Sequence, residues 1–500
     1  VTDGAAGGTT RKSSRFTLAL AVFLLTTSLS GAVALTLRPL GYLGGLADTW
    51  YELGLNLALR GTFGIDADPT LYKPPGYPAF VAAVVRTAVG RVPEPKETRR
   101  LLPMDSDLAL LETSTERGYL EAGARAVYLA QSVVLGAAAA LLYLWLSTGL
   151  RQDVSLVSAL VFGLNPYAVV HTGFLHYAVC HMFLLIAASW ALQVAIDRHR
   201  ILLPAGALWG VATLVRPVTL ILPPFALVAF LVRRRTPLPR RILAWAVFVL
   251  GMGLVIGPYT LRNARLSGRF VPVNAQAWRN IWGATTEDAP IDPDHFRWKL
   301  LRHQIMEFEA SVSGQSSPWG WEPYGVADNL KIEDAFHERA VRNLRADSGI
   351  YLRNAVRSAI TVNLDIDSVL LQVFQHLQHP PVLPKFLKLW FWPGNPQDFE
   401  PPTARLLTRA LFGVLTLLAA VGLVWGRSAF LLVPACVHAT ICVAHAITWM
   451  DFLYYYVKVP MLFVFAAAGL QAVVERAGRV GQVLLGLLLV ATIALDVLVF

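Results

Sequence analysis

Along this chain the polar residues come in short clusters, and the apolar runs between them are too long for a soluble core. Phe16–Leu37, Ala126–Ser147, Ile242–Tyr259 and, broken only by Arg409, Leu406–Trp425 are such runs. About 18 or more apolar residues in succession suffice for a helix that crosses a hydrocarbon layer about 30 Å thick. Read this way, the chain predicts eleven spans: 16–37, 124–147, 153–170, 177–196, 201–215, 217–232, 242–259, 406–425, 428–448, 456–474 and 480–500. Two large segments outside the membrane, roughly 38–123 and 260–403, interrupt them. The expected fold is all-α and polytopic: a transmembrane bundle with a large first exported loop and a mostly helical second exported segment.

The run "GYPAFVAAVVRTAVG", residues 76–90, tests that reading. It is only about 14 apolar residues long and contains Arg86, where a span needs about 17–25. If it does not span, Arg11–Arg15, Arg151, Arg198, Arg200, Arg233–Arg241, Arg427, Arg476 and Arg479 all fall on one side. The opposite short loops, 171–177 and 449–455, then hold no lysine or arginine, as the positive-inside rule requires. Residues 76–90 are therefore expected as a half-buried or interfacial helix in the first exported loop. Three parts result: 1–259 with that loop, the exported helical segment 260–403, and the C-terminal spans 404–500. In the middle part Phe336, Ala340 and Leu344, then Leu352, Val356 and Ile360, recur at helical spacing around Gly349. That pattern predicts two helices lying over the outer membrane surface.

Composition agrees with the pattern. The 500 residues are 55% hydrophobic and only 15% charged, against roughly 25% charged in a soluble domain. The net charge of +10 sits at segment ends, where it orients helices, so nucleic acid is not an expected partner. Cys180, Cys436 and Cys442 lie in or beside apolar runs with no CxxC pair, which excludes a disulfide or zinc framework of cysteines. At the N-terminus Arg11, Lys12 and Arg15 precede an apolar stretch ending in "SGAVA". Its length favours an uncleaved anchor over a signal peptide, and in either case the following loop is exported.

Several polar residues sit where an oily chain makes them costly. Asp48 follows the first span, with Glu52 one helical turn on. It is either an acid placed for chemistry at the interface or an N-cap for "WYEL". Lys73 stands before Pro74-Pro75 in "YKPPGYPAF". The prolines hold an extended backbone and so fix where the lysine points, Gly76 permits a close backbone approach, and Tyr77 opens the next helix. Lys73 either meets a phosphate or snorkels to the lipid headgroups. Arg216-Pro217 separates two short spans, and an arginine there calls for an anionic ligand or an acid from the first loop. Arg262 and Asn263 offer further donors above Tyr259. His171, His176 and His181 are five apart and share no helical face, so His171 and His176 are weak metal ligands that could meet only across a turn. Lys458 is the unusual member of the aromatic-rich "TWMDFLYYYVKVP".

These landmarks together resemble the GT-C glycosyltransferase superfamily. The resemblance is to its bacterial branch, similar to protein O-mannosyltransferases and the transferase that adds aminoarabinose to lipid A. The pieces are "DTWYELGLNLALRGTFGID" with "YKPPGYPAFVAAVV", then "FGLNPYAVVHTGFL", "GALWGVATLVRPVTLILPPF" and "GPYTLRNARLSGRFVPVNAQAWRNIWGAT". The resemblance implies transfer of a sugar from a polyprenyl-phosphate-linked donor to an acceptor hydroxyl, with inversion, on the extracytoplasmic face of the plasma membrane. By position Asp48 would be the catalytic acid, and Lys73, Arg216 and Arg262 would bind the donor phosphate. Glu52, Tyr77, His176, Asn263 and Lys458 become candidate substrate contacts, and the acceptor is a glycan, lipid or protein. The family's second acid, after Asn-Pro, has no counterpart in "HTGFLHYAVCHMF", which leaves a divalent metal open. A carrier of lipid-linked sugars and a non-catalytic relative are the alternatives.

Overall fold

The computed structural model of the 500-residue chain describes residues 6–36, 50–65, 68–90, 114–198, 200–233, 236–286, 295–314, 325–364, 402–426, 428–448 and 455–478, with a few positions between 483 and 490. It opens with α1 (Ala6–Thr36), α2 (Trp50–Arg60), a two-residue antiparallel ladder of β1 (Gly64–Ile65) with β2 (Asp68–Pro69), and α3 (Gly76–Ala88). The first bundle continues through α4 (Ser114–Leu146), α5 (Gln152–Leu164), α6 (Pro166–His171), α7 (Ala178–Arg198), α8 (Leu202–Val215), a 3-10 turn (Pro217–Ile221), α9 (Leu222–Val232) and α10 (Leu238–Ser267). A module of α11 (Ala277–Ala284), α12 (His295–Ser313), α13 (Val326–Ala346) and α14 (Ser348–Leu364) follows. The chain returns to long apolar helices in α15 (Pro402–Trp425), α16 (Ser428–Ile447) and α17 (Tyr455–Ala477).

Among the described residues six helices are long and apolar enough to cross a membrane, and four shorter apolar helices accompany them. Six of the expected spans fall on the long helices, four (153–170, 201–215, 217–232 and 406–425) fall on the shorter ones, and the eleventh, 480–500, lies almost wholly outside the described residues. One expectation needs correction. The span at 153–170 is two helices, because the Asn165 side chain accepts the Ala168 N–H at 3.0 Å and Pro166 occupies the first turn of α6. An asparagine cap followed by proline starts a new helix, whatever the hydropathy around it. The break at Arg216-Pro217 stands as expected, with Arg216 extended between α8 and the 3-10 turn. Of residues 76–90, Gly76–Ala88 form the 13-residue α3, about 20 Å long and shorter than the hydrocarbon layer. It packs on α2 through buried Tyr77, Val81 and Val85.

Burial sorts the long helices into central and peripheral. The span in α17 is 89% buried, whereas that in α10 is 28% buried and shows Leu243, Leu250 and Leu254 to the outside. Exposed leucines in that number suit a helix whose solvent on one side is lipid. α8 and α10 approach backbone to backbone, since a Cβ on Gly206 would lie 1.9 Å from the Phe248 carbonyl oxygen. A single apolar core runs from α1 through α10 and on into α15–α17. The module has its own small core, formed by Trp282, Ala284, Ile305, Ile332, Phe336 and Ala340 together with Tyr72 from the first loop.

The two helices expected around Gly349 are α13 and α14, but the break comes at Asp347, which is extended and accepts the Gly349 N–H at 2.8 Å. Phe336 and Ala340 are buried in the module core, whereas Leu352 and Val356 are exposed. The Tyr351 hydroxyl donates to the Ile447 carbonyl at the end of α16, so α14 lies level with one end of the bundle.

Candidate functional site

The segment "LYKPPGY" stitches the module to the bundle. Leu71 packs with Val271 and Ala275, and its carbonyl accepts the Ala275 N–H at 2.8 Å. Tyr72 enters the module core, while Tyr77 enters the bundle core and donates its hydroxyl to Gln131 at 2.9 Å. Lys73 lies between these anchors, at the seam. Gly76 explains why the segment fits there: a Cβ would lie 2.7 Å from the Val215 backbone nitrogen and 2.8 Å from the Leu214 carbonyl carbon. That close approach joins the start of α3 to the end of α8, one residue before Arg216.

Lys73 is buried, with its ammonium 5.0 Å from the Trp50 ring and 5.1 Å from the Tyr72 ring. Trp50 opens α2 and meets Tyr177 edge-on, with ring centroids 4.7 Å apart. Arg216 donates to the Tyr177 hydroxyl, its guanidinium carbon 5.1 Å from the same ring. Two cations thus flank one pair of touching aromatic rings. Ring faces attract cations, so the Trp50–Tyr177 pair holds these two cations close to one place at the seam. His176 lies against Tyr177 at 3.9 Å. Lys458, buried in the first turn of α17, and Arg216 both lie within electrostatic range of His445 on α16.

Other expected residues lead elsewhere. Arg262 donates to the carbonyls of Phe63 and Thr70 at 3.1 and 3.3 Å, and Asn263 donates to those of Val271 and Val273. These bonds fasten the first loop and the 268–276 turn to the end of α10. Glu52 is half-buried in the first turn of α2. Asp48 lies outside the described residues, two positions before Trp50. His171 Nδ1 is 2.7 Å from the Tyr167 carbonyl oxygen, and the ring packs between Tyr167 and Phe174. Among the described residues no three His, Cys, Asp or Glu side chains converge.

Residues beyond those expected complete the seam. Arg279 of α11 donates to the Tyr72 hydroxyl at 2.5 Å and pairs with Glu309 of α12 at 3.2 Å. Glu333 of α13 accepts the Trp278 N–H at 2.9 Å, at the start of α11. Burial raises the pKa of its carboxyl, against the pull of those backbone donors. Glu309 was detectable in principle: Ile305, Phe308 and Val312 set an apolar helical face, and Glu309, one turn after Ile305, falls on it.

Comparison with solved structures bears on the fold. Over 95% of its length the chain superposes on 52% of the oligosaccharyltransferase from Archaeoglobus fulgidus, solved as a complex with Zn and sulfate, with a TM-score of 0.51 and 13% sequence identity. The chain has a GT-C fold. It spans about half the length of that archaeal protein. Residues 120–259, from α4 into α10, match the family model of the dolichyl-phosphate-mannose-protein mannosyltransferases. That GT-C segment includes Arg216 but neither Asp48 nor Lys73. ArnT from Cupriavidus metallidurans, crystallised with undecaprenyl phosphate, is matched over 92% of this chain and 78% of its own, with a TM-score of 0.37 and 14% identity. No curated protein matches the chain.

Proposed function

We propose that the protein is an integral-membrane glycosyltransferase. In this reading it transfers a sugar, with inversion, from a polyprenyl-phosphate-linked donor to a hydroxyl of a glycan, lipid or protein on the extracytoplasmic face. The observation that carries the reading is the seam: Lys73 and Arg216, from two different elements, lie against the one Trp50–Tyr177 pair. A lipid-borne donor keeps its chain in the bilayer and presents its phosphate at such a boundary.

The chemistry follows from those groups. The acceptor oxygen attacks the anomeric carbon while Asp48, two residues before Trp50, takes the hydroxyl proton. The bond from the anomeric carbon to the phosphate oxygen breaks, and the lipid phosphate leaves with the extra negative charge. Lys73 and Arg216 stabilise that charge as it develops. Loss of one such preorganised donor costs on the order of 10²–10³ in rate, and a positioned base contributes roughly 10²–10⁴-fold. Arg262 serves indirectly, by holding the first loop against α10.

The test compares Asp48→Asn with wild type, both purified in nanodiscs with their endogenous lipids. Native mass spectrometry should find the same polyprenyl-phosphate-linked lipid on both, and transfer of that lipid's sugar should fall at least about 100-fold in the variant. Unimpaired transfer by Asp48→Asn would contradict the assignment. A carrier that needs no base would keep translocating the lipid in that variant.

A further inference from the structure

Behind Lys73 lies a buried ion pair with no part in the chemistry above. Glu309 has 0% exposure and Arg279 4%, and they meet at 3.2 Å through Arg279 Nε. Among the described residues neither carboxylate oxygen receives a hydrogen bond, so charge alone compensates it. Arg279 also holds the Tyr72 hydroxyl, and Tyr72 lies under the Lys73 ammonium. Lys73 is the second cation that acts on Glu309. Among the described residues α13 brings further titratable and charged groups to this module. Glu333 is a like charge at the start of α11, His337 packs on Trp278, and Arg339 lies over the Phe308 ring.

A carboxylate so placed stays ionised only as far as Arg279 and Lys73 offset its burial. A phosphate arriving at Lys73 brings a negative charge into the same poorly solvated space and cancels part of that offset. In such surroundings the cheaper response is for the buried acid to accept a proton. We propose that Glu309 is a positioning residue that couples binding of an anionic lipid headgroup at Lys73 to uptake of one proton by its own carboxyl. The step balances: the phosphate adds one negative charge and the proton removes the carboxylate's, leaving Arg279 and Lys73 to face the phosphate. Burial already pushes the Glu309 carboxyl up to about 7 against the pull of Arg279 and Lys73, so the exchange falls in the neutral range. The inference rests on the reading of Lys73 as a phosphate site.

The experiment is calorimetric titration of the full chain in detergent with farnesyl methyl phosphate. This phosphodiester carries lipid and charge, but neither a sugar nor a group that titrates near neutrality. Measured at pH 7 in two buffers of different ionisation heat, wild type should take up roughly half a proton per ligand. Its affinity should rise as pH falls from about 8.5 to about 6, by up to tenfold for each pKa unit that the bound phosphate adds. Glu309→Gln should bind as tightly as wild type does at low pH, with no proton uptake and no pH dependence over that range. Lys73-dependent binding without proton uptake by wild type would overturn the inference and leave the phosphate site standing. Uptake that persists in Glu309→Gln would overturn it equally. Binding that is absent, or indifferent to Lys73→Ala, would overturn both the inference and the phosphate site beneath it.

Discussion

Trp50 is the residue on which the site turns. It touches Lys73 on one side and Tyr177, the partner of Arg216, on the other. A cation over an indole face is worth roughly 0.5–2 kcal/mol, more as water is excluded. Trp50→Leu keeps the residue apolar and removes the face, so farnesyl methyl phosphate should bind about five- to tenfold more weakly, a loss of about 1 kcal/mol. Calorimetric titration reads the change directly, and unchanged affinity would show that the ring does not hold Lys73 in its working position. At this scale the cations were legible and their partners were not. Lys73 and Arg216 stand out because a charge is costly in so apolar a chain. Trp50 and Tyr177 do not, since interfacial aromatics are routine in membrane proteins. Tyr72 and Arg279 meet across 207 positions of sequence, a contact that no local pattern encodes.

Among the elements, the junction of α3 with α8 positions the site. Gly76 sits where any Cβ would press on the Leu214–Val215 backbone, and a backbone cannot move aside as a flexible side chain can. Gly76→Ala should therefore destabilise the protein by roughly 1–3 kcal/mol through overpacking. It should also weaken farnesyl methyl phosphate binding, by shifting Arg216 away from Lys73. Gly257→Ala, with nothing within 4 Å of its Cβ, should stay within about 0.5 kcal/mol of wild type. Thermal unfolding of the two variants side by side checks this, and equal behaviour would contradict the argument. The break at Arg216-Pro217 was readable because an arginine and a proline together interrupt an apolar run. The break at Asn165-Pro166 passed unread because apolar residues continue on both sides and hydropathy outweighed the cap. Gly349 marked the α13–α14 boundary only approximately; Asp347, which can accept a backbone N–H, makes the turn.

At the scale of the whole molecule, the protein is a membrane bundle and a small helical module that meet along a stretch of the first loop and again where α14 packs on α16. Long apolar runs made the bundle legible, since they follow from the bilayer as solvent. The seam was not legible, because it depends on where Leu71, Tyr72 and Tyr77 each find a core. In the proposed function that seam is a lipid-phosphate site. The most direct measurement is native mass spectrometry of the wild-type protein beside Lys73→Ala and Arg216→Ala, each extracted gently from its own membrane. Wild type should carry a polyprenyl-phosphate-linked lipid, and each variant should lose most of it while keeping its ordinary phospholipids. Retention of that lipid by both variants at the wild-type level would contradict the claim.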